Sequence, residues 1–172
     1  MKRRQFIRNV SSAGVALTIV PSISVSGLGH IAPSDKLNIA AIGIGGKGSV
    51  NLRNMVGQNI VALCDVDYDY ASSVFKTYPK APKYQDFRIM LEKQKDIEAV
   101  VIATPDHTHA LAAAACMEQG KHVYVQKPLT HSVWESRYLT QLGKRTGVVT
   151  QMGNEGHSSD TVYEVAEIVQ SG

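Results

Sequence analysis

The chain has 172 residues, 44% of them hydrophobic and 19% charged, enough for one domain with a sizeable core and the start of another. Its formal net charge of +3 is unevenly spread: residues 1–30 hold Lys2, Arg3, Arg4 and Arg8 and no acid, which leaves the rest of the chain at −1 and argues against nucleic acid as a partner. The two cysteines, Cys64 and Cys116, fall in apolar segments and read as buried free thiols, not a disulfide framework, and no spacing suggests a metal site.

Residues 1–30 read as an address and linker outside the fold. Arg3-Arg4-Gln5-Phe6-Ile7 resembles a twin-arginine signal, two arginines, any residue, then two apolar ones. The apolar stretch from Val10 to Val25 is interrupted by Ser11, Ser12, Gly14 and Pro21. A membrane span needs about 20 mostly apolar residues, so no stable span is expected. The expected location is the periplasm, or otherwise outside the cytoplasm by the twin-arginine route. That route carries folded proteins, so a cytoplasmic cofactor is loaded before export.

In Leu37 to Gly43 five of the first six residues are apolar or small, as in a buried parallel strand. It runs into Gly43, Gly45 and Gly48 at G-x-G-x-x-G spacing, with Gly46 inside the turn, and then into a helix-compatible stretch, Ser49 to Val56. Strand, glycine turn and helix in this order point to dinucleotide binding. Gly43 permits the tight turn, Gly45 a close approach of backbone to a pyrophosphate, and Gly48 close packing of helix on strand. Free N–H groups and the helix dipole then face the phosphates. A second strand, Asn59 to Cys64, ends in Asp65-Val-Asp67, and Asp65 lies 22 positions after Gly43. That is the spacing of the acid that accepts hydrogen bonds from the adenosine ribose, and its charge favours NAD over NADP. Asp67 reads as the cap of a helix over 68–78.

Pro79 and Pro82 end that helix. Lys83-Tyr84-Gln85 reads as a short strand. Asp86 caps a helix from Phe87 to Gln94, with Phe87, Met90 and Leu91 on one face. Ile97 to Ala103 is a strongly apolar strand whose loop, Thr104-Pro-Asp-His-Thr-His109, sits at a carboxyl end, where ligands bind in open α/β sheets. Ala110 to Gln119 is an alanine-rich helix closed by Gly120. Lys121 to Val125 is the next strand and leads into Gln126-Lys127-Pro128, on the same rim. Lys127 is therefore the leading candidate for acid/base or carbonyl-polarising chemistry. A helix over 132–145 draws apolar contacts from Val133, Trp134, Tyr138, Leu139 and Leu142, with Trp134 read as core. Val148 to Met152 is a sixth strand, Gly153-Asn-Glu-Gly-His157 a second glycine-containing turn, and Thr161 to Gln170 a helix. The alternation of strands and helices specifies an α/β fold with a doubly wound, mostly parallel sheet.

Together, Gly43–Gly48, Asp65, Thr104–His109, Gln126-Lys127-Pro128 and Gln151-Met-Gly-Asn-Glu-Gly-His-Ser158 resemble the Gfo/Idh/MocA oxidoreductases over about residues 35–172. The last stretch and the leader resemble an exported bacterial branch. The resemblance implies a Rossmann NAD-binding domain over 35–155, with 156–172 beginning a C-terminal α/β substrate domain that is largely absent from this sequence. It implies a role for Lys127 at the nicotinamide and substrate hydroxyl. It implies contacts to the nicotinamide side of the cofactor from Thr104, Pro105, Asp106 and His109. Gln126 stands where the family usually has Glu, keeping hydrogen bonding without charge, and Asp106 stands where it usually has Asn. The implied activity is NAD-dependent oxidation of a secondary alcohol of a sugar or cyclitol, by a full-length homo-oligomer. Two other readings stay open: the cofactor domain of a redox-neutral, NAD-dependent glycosidase, and a non-catalytic nucleotide-binding fragment. The 172-residue chain alone is not expected to turn over substrate.

Overall fold

The computed structural model describes residues 35–172; the leader expected over 1–30 lies outside them. From Leu37 onward the chain forms a single compact unit. Its six strands are β1 (Asn38–Ile42), β2 (Asn59–Cys64), β3 (Lys83–Tyr84), β4 (Ala99–Ile102), β5 (His122–Gln126) and β6 (Thr150–Gly153). They are all parallel, in the order β3-β2-β1-β4-β5-β6. The helices are α1 (Gly46–Arg53), α2 (Ser72–Thr77), α3 (Phe87–Lys93), α4 (His109–Glu118), α5 (Val133–Thr146) and α6 (Asp160–Ser171).

Because side chains alternate along a strand, each central strand feeds two cores. Ala40, Ile42, Ala62, Cys64, Val100, Ile102, Val123 and Val125 pack on one face with residues of α3, α4 and α5. Ile39, Ala41, Leu63 and Val101 pack on the other with Leu52 of α1 and with Val74 and Phe75 of α2. Burial on both faces is why the strands read as apolar runs.

The caps follow the sequence where a polar side chain does the work. Asp86 accepts the Arg88 N–H at 2.9 Å and opens α3. Ser132 and Glu135 form a reciprocal capping box on α5, and Gly147 closes that helix at φ 70°. Those backbone hydrogen bonds hold the Glu135 carboxyl below its ordinary value.

Several expectations need correction. The helix expected from Tyr68 starts at Ser72, because residues 68–71 form a turn. Asp67 therefore does not cap α2, whose N-cap is Ala71 with no side-chain bond; it opens the turn instead, accepting the Tyr70 N–H at 2.9 Å. The helix after the glycines begins at Gly46, not Ser49, so Gly46 and Gly48 lie in its first turn. Trp134 is not core: it is 71% exposed and stacks on Tyr138 with ring centroids 5.5 Å apart, while Val133 is also exposed. The buried side of α5 is Leu139 and Leu142. At 100° per residue Trp134 lies roughly 110° from the middle of that side. Every residue of α6 is exposed. No helix among the described residues is long and apolar enough to cross a membrane.

Candidate functional site

The ladder register aligns the carboxyl ends of the strands. Ile42 pairs with Cys64 and Ile102, Ile102 with Val125, and Gln126 with Gly153. Gly43, Asp65, Ala103, Lys127 and Asn154, each following one of these ends, therefore emerge on one rim. From β1 the chain winds outward to β2 and β3, then returns to β4 on the other side of β1. The crevice between β1 and β4 is thus the topological switch point, where open α/β sheets bind ligands.

Gly43, at φ 76°, sits against the loop after β4: a Cβ there would lie 2.7 Å from backbone atoms of Ala103 and Thr104. A Cβ on Gly48 would fall on the Gly43 carbonyl, 2.9 Å from its carbon. These two glycines let α1, β1 and the β4 loop close on one another. At Gly45 the freed space holds the ring of Tyr70, whose hydroxyl lies 2.7 Å from where a Gly46 Cβ would be. Tyr70 is 65% exposed. A diphosphate resting on Gly45 requires that ring to turn outward.

Asp65 is buried and knits the turn together. Its Oδ2 accepts the N–H groups of Ile44 and Gly45 at 2.8 and 3.1 Å, and its Oδ1 accepts the Asp67 N–H at 3.0 Å. An ionised carboxylate has about four acceptor positions. Three are taken, which leaves one for a ribose hydroxyl. Beside it, burial and then the Asp65 charge push the Cys64 thiol up to about 12, so it is a wall and not a nucleophile.

His109 is 1% exposed and bridges two loops of the rim. Its Nδ1 lies 2.6 Å from the Pro128 carbonyl oxygen and its Nε2 2.8 Å from that of Thr104. Gln126 is buried, donates to Asn51 Oδ1 at 3.2 Å and accepts the Lys127 N–H at 3.3 Å. It therefore fastens α1 to the end of β5.

The groove has two halves. One, of about 540 Å³, is lined by Gly43, Gly45, Gly46, Asp65, Tyr70, Pro105 and others. The second, of about 620 Å³, is lined by Asp106, His109, Gln126, Lys127, Asn154, His157 and others. Lys47, Ala103 and Thr104 border both. All the sequence-derived candidates other than Gly48 line one half or the other, and Gly48 acts from below by close packing. The sequence reading did not single out Tyr70, Lys47, Asn51 or the 153–157 turn as site residues. The 153–157 turn alone carried a signal, glycines at a strand end.

A dinucleotide fits what is present. At Gly45 and Gly46 the floor of the groove is bare backbone, where a Cβ would meet only the exposed Tyr70 ring, which can swing away. Thr104 Oγ1, where the halves meet, is buried without a hydrogen-bond partner, as is Asn51 Nδ2, and such atoms are normally satisfied. Among the described residues no three His, Cys, Asp or Glu are grouped to hold a metal ion.

The profile of the Gfo/Idh/MocA oxidoreductase family, described as an NAD-binding Rossmann fold, matches residues 37–154. A glycosyl hydrolase family 109 protein of Shewanella pealeana is 30% identical over 85% of this chain and 38% of its own. The scyllo-inositol 2-dehydrogenase (NAD(+)) of Bacillus subtilis is 32% identical over 69% of this chain and 35% of its own. The fold is shared with myo-inositol 2-dehydrogenase from Lactobacillus plantarum, with TM-score 0.72 and 24% identity over 80% of this chain and 42% of that one. The chain thus spans about two-fifths of the length of these proteins.

Proposed function

Because the chain belongs to the Gfo/Idh/MocA oxidoreductase family and contains its NAD-binding Rossmann domain, we propose that the full-length protein oxidises a secondary alcohol on a cyclitol or sugar ring. NAD, when bound, supplies the hydride acceptor. Gly43, Gly45, Gly46 and Gly48 receive the diphosphate, and Asp65 the adenosine ribose. Thr104, Pro105 and Asp106 border the nicotinamide side. Lys127 holds the substrate oxygen and moves its proton as the adjacent C–H bond is broken. The observation that carries this reading is Lys127 lining the same half-groove as Thr104 and Gln126. The cyclitol dehydrogenases among its relatives support the substrate class.

The test is a panel of inositols and monosaccharides offered with NAD to the full-length protein, reading NADH. Turnover of a cyclitol or sugar, lost in Lys127→Met with NAD binding retained, is the expected result. Turnover unaffected by Lys127→Met refutes the assignment.

A second reading, a glycosidase that keeps NAD bound and recycles the hydride, draws support from the family 109 relative. It predicts free sugar released from a glycoside with no net NADH. We also propose that the protein is exported by the twin-arginine route, supported by Arg3-Arg4-Gln5-Phe6-Ile7. Replacing both arginines by lysine is expected to keep a fused reporter in the cytoplasm. Homo-oligomerisation of the full-length protein, implied by the family likeness, is tested by light scattering.

A further inference from the structure

Lys47 is the second residue of α1, and its ammonium pairs at 2.5 Å with Glu155 in the turn after β6, 108 residues away. The helix gives this lysine no help. The positive end of the α1 dipole surrounds it, and the first turn of α1 contains no acid. Of the three residues that border both halves of the groove, Lys47 alone carries a charge. A dinucleotide with one nucleoside in each half must pass its diphosphate between them, beside Lys47.

We propose that Lys47 is a ligand of the cofactor diphosphate and that Glu155 competes with the diphosphate for it. The ammonium serves one anionic partner or the other. The lysine is flexible, and both members of its pair are substantially exposed, 40% and 65%. An exposed pair of this kind contributes little, whereas a diphosphate at the same point meets helix N–H groups as well as the ammonium. Occupation of the diphosphate site therefore releases Glu155, and with it the turn 155–158 that leads into α6. This gives the 153–157 turn a role that the cofactor and substrate assignments leave open. It ties entry of NAD to the position of a segment lining the Lys127 half of the groove. The proposal rests on NAD being the cofactor and on no choice of substrate.

The test is calorimetric titration of the full-length protein and its Lys47→Met, Glu155→Gln and doubly substituted forms. The ligands are NAD, ADP-ribose and adenosine, with folding checked by circular dichroism. Lys47→Met is expected to weaken NAD and ADP-ribose about tenfold. Glu155→Gln should tighten both about two- to fivefold, the reach of an exposed ion pair. That gain should vanish in the doubly substituted form, and adenosine, which lacks phosphate, should bind all four alike. Unchanged NAD affinity in Lys47→Met overturns the proposal. So does a Glu155→Gln gain of equal size with and without Lys47, because the effect would then be general repulsion and not competition. If the folded parent chain binds neither NAD nor ADP-ribose, the cofactor assignment itself fails, an outcome separate from these.

Discussion

Gly48→Ala sets two physical expectations against each other. Position 48 lies within α1, where replacing Gly by Ala ordinarily stabilises a helix by about 1 kcal/mol. The packing predicts the opposite sign. A Cβ at 48 would fall on the Gly43 carbonyl oxygen, 2.9 Å from the carbonyl carbon and 3.4 Å from Ala103 Cβ. Carbon atoms rest at about 3.5–4.0 Å, and the obstacle is backbone at a residue held at φ 76°, not a side chain that can swing away. The helix must therefore retreat from β1. Overpacking costs about 1–3 kcal/mol, and a backbone collision belongs at the upper end. After the propensity gain, a net loss of about 2 kcal/mol remains. With an m-value of about 2 kcal/mol/M, the urea midpoint falls by about 1 M. The retreat also displaces the N–H groups offered to a diphosphate, so NAD affinity should fall at least about tenfold, or 1.4 kcal/mol. Urea unfolding followed by circular dichroism and calorimetric NAD titration read the two effects. Gly143→Ala is the control, since it lies in α5 away from the groove and its Cβ would make only ordinary contacts, 3.5 Å from Met117 and 3.9 Å from Thr150. A Gly48→Ala midpoint at or above that of the parent, with unchanged NAD affinity, would refute the packing argument.

Tyr70→Ala removes the ring that stands against Gly45 and Gly46; stopped-flow mixing with NAD should show faster association, and an unchanged rate would mean that the ring is no obstacle. Burial pushes the thiols of both Cys64 and Cys116 up to about 12 from an ordinary 9.0. The unfolded chain therefore loses these protons first, so their contribution to stability is fully present below pH 9 and is lost as pH rises toward 12. Urea midpoints across that alkaline range should fall more steeply for the parent than for Cys116→Ala, and neither thiol should react with a disulfide reagent until the chain is unfolded. Ser132→Ala deletes one arm of the α5 capping box and should cost about 1 kcal/mol by urea unfolding, with NAD affinity unchanged.

Most of the frame was legible because it depends on local chemistry. Residues 39–42 and 99–102 are apolar on both faces, as a covered parallel strand requires, and the glycine turn that follows the first of them marks it as a strand. Gly43 and Gly48 mark a turn and a close approach that no other residue tolerates. Parallel register then brings Asp65, Thr104 and Lys127 to one rim without further information. Contacts between distant residues were not legible. The Lys47–Glu155 pair, the Tyr70 ring on Gly45 and the His109 bridge between the Thr104 and Pro128 carbonyls depend on how loops fold back over the sheet. Trp134 misled because apolar residues at 133, 134, 138, 139 and 142 cover more of α5 than the arc that meets the sheet.

Asp65 is where local and long-range demands meet, and Asp65→Asn separates them. The carboxylate holds the glycine turn through Ile44 and Gly45 with one oxygen and Asp67 with the other. An asparagine has only one acceptor oxygen, so whichever way it turns, its NH₂ group faces a backbone N–H. If the oxygen stays on Ile44 and Gly45, the Asp67 N–H loses its partner at a cost of about 1–3 kcal/mol, while the cradle keeps its shape. A ribose hydroxyl could still bond to the amide, but the charge that opposes a 2′-phosphate is gone. The expected result is a lower urea midpoint, weaker NAD binding, and a larger relative loss for NAD than for NADP. Equal losses for the two cofactors would mean that Asp65 acts only as the clamp of the glycine turn, and that discrimination between them lies elsewhere on the rim.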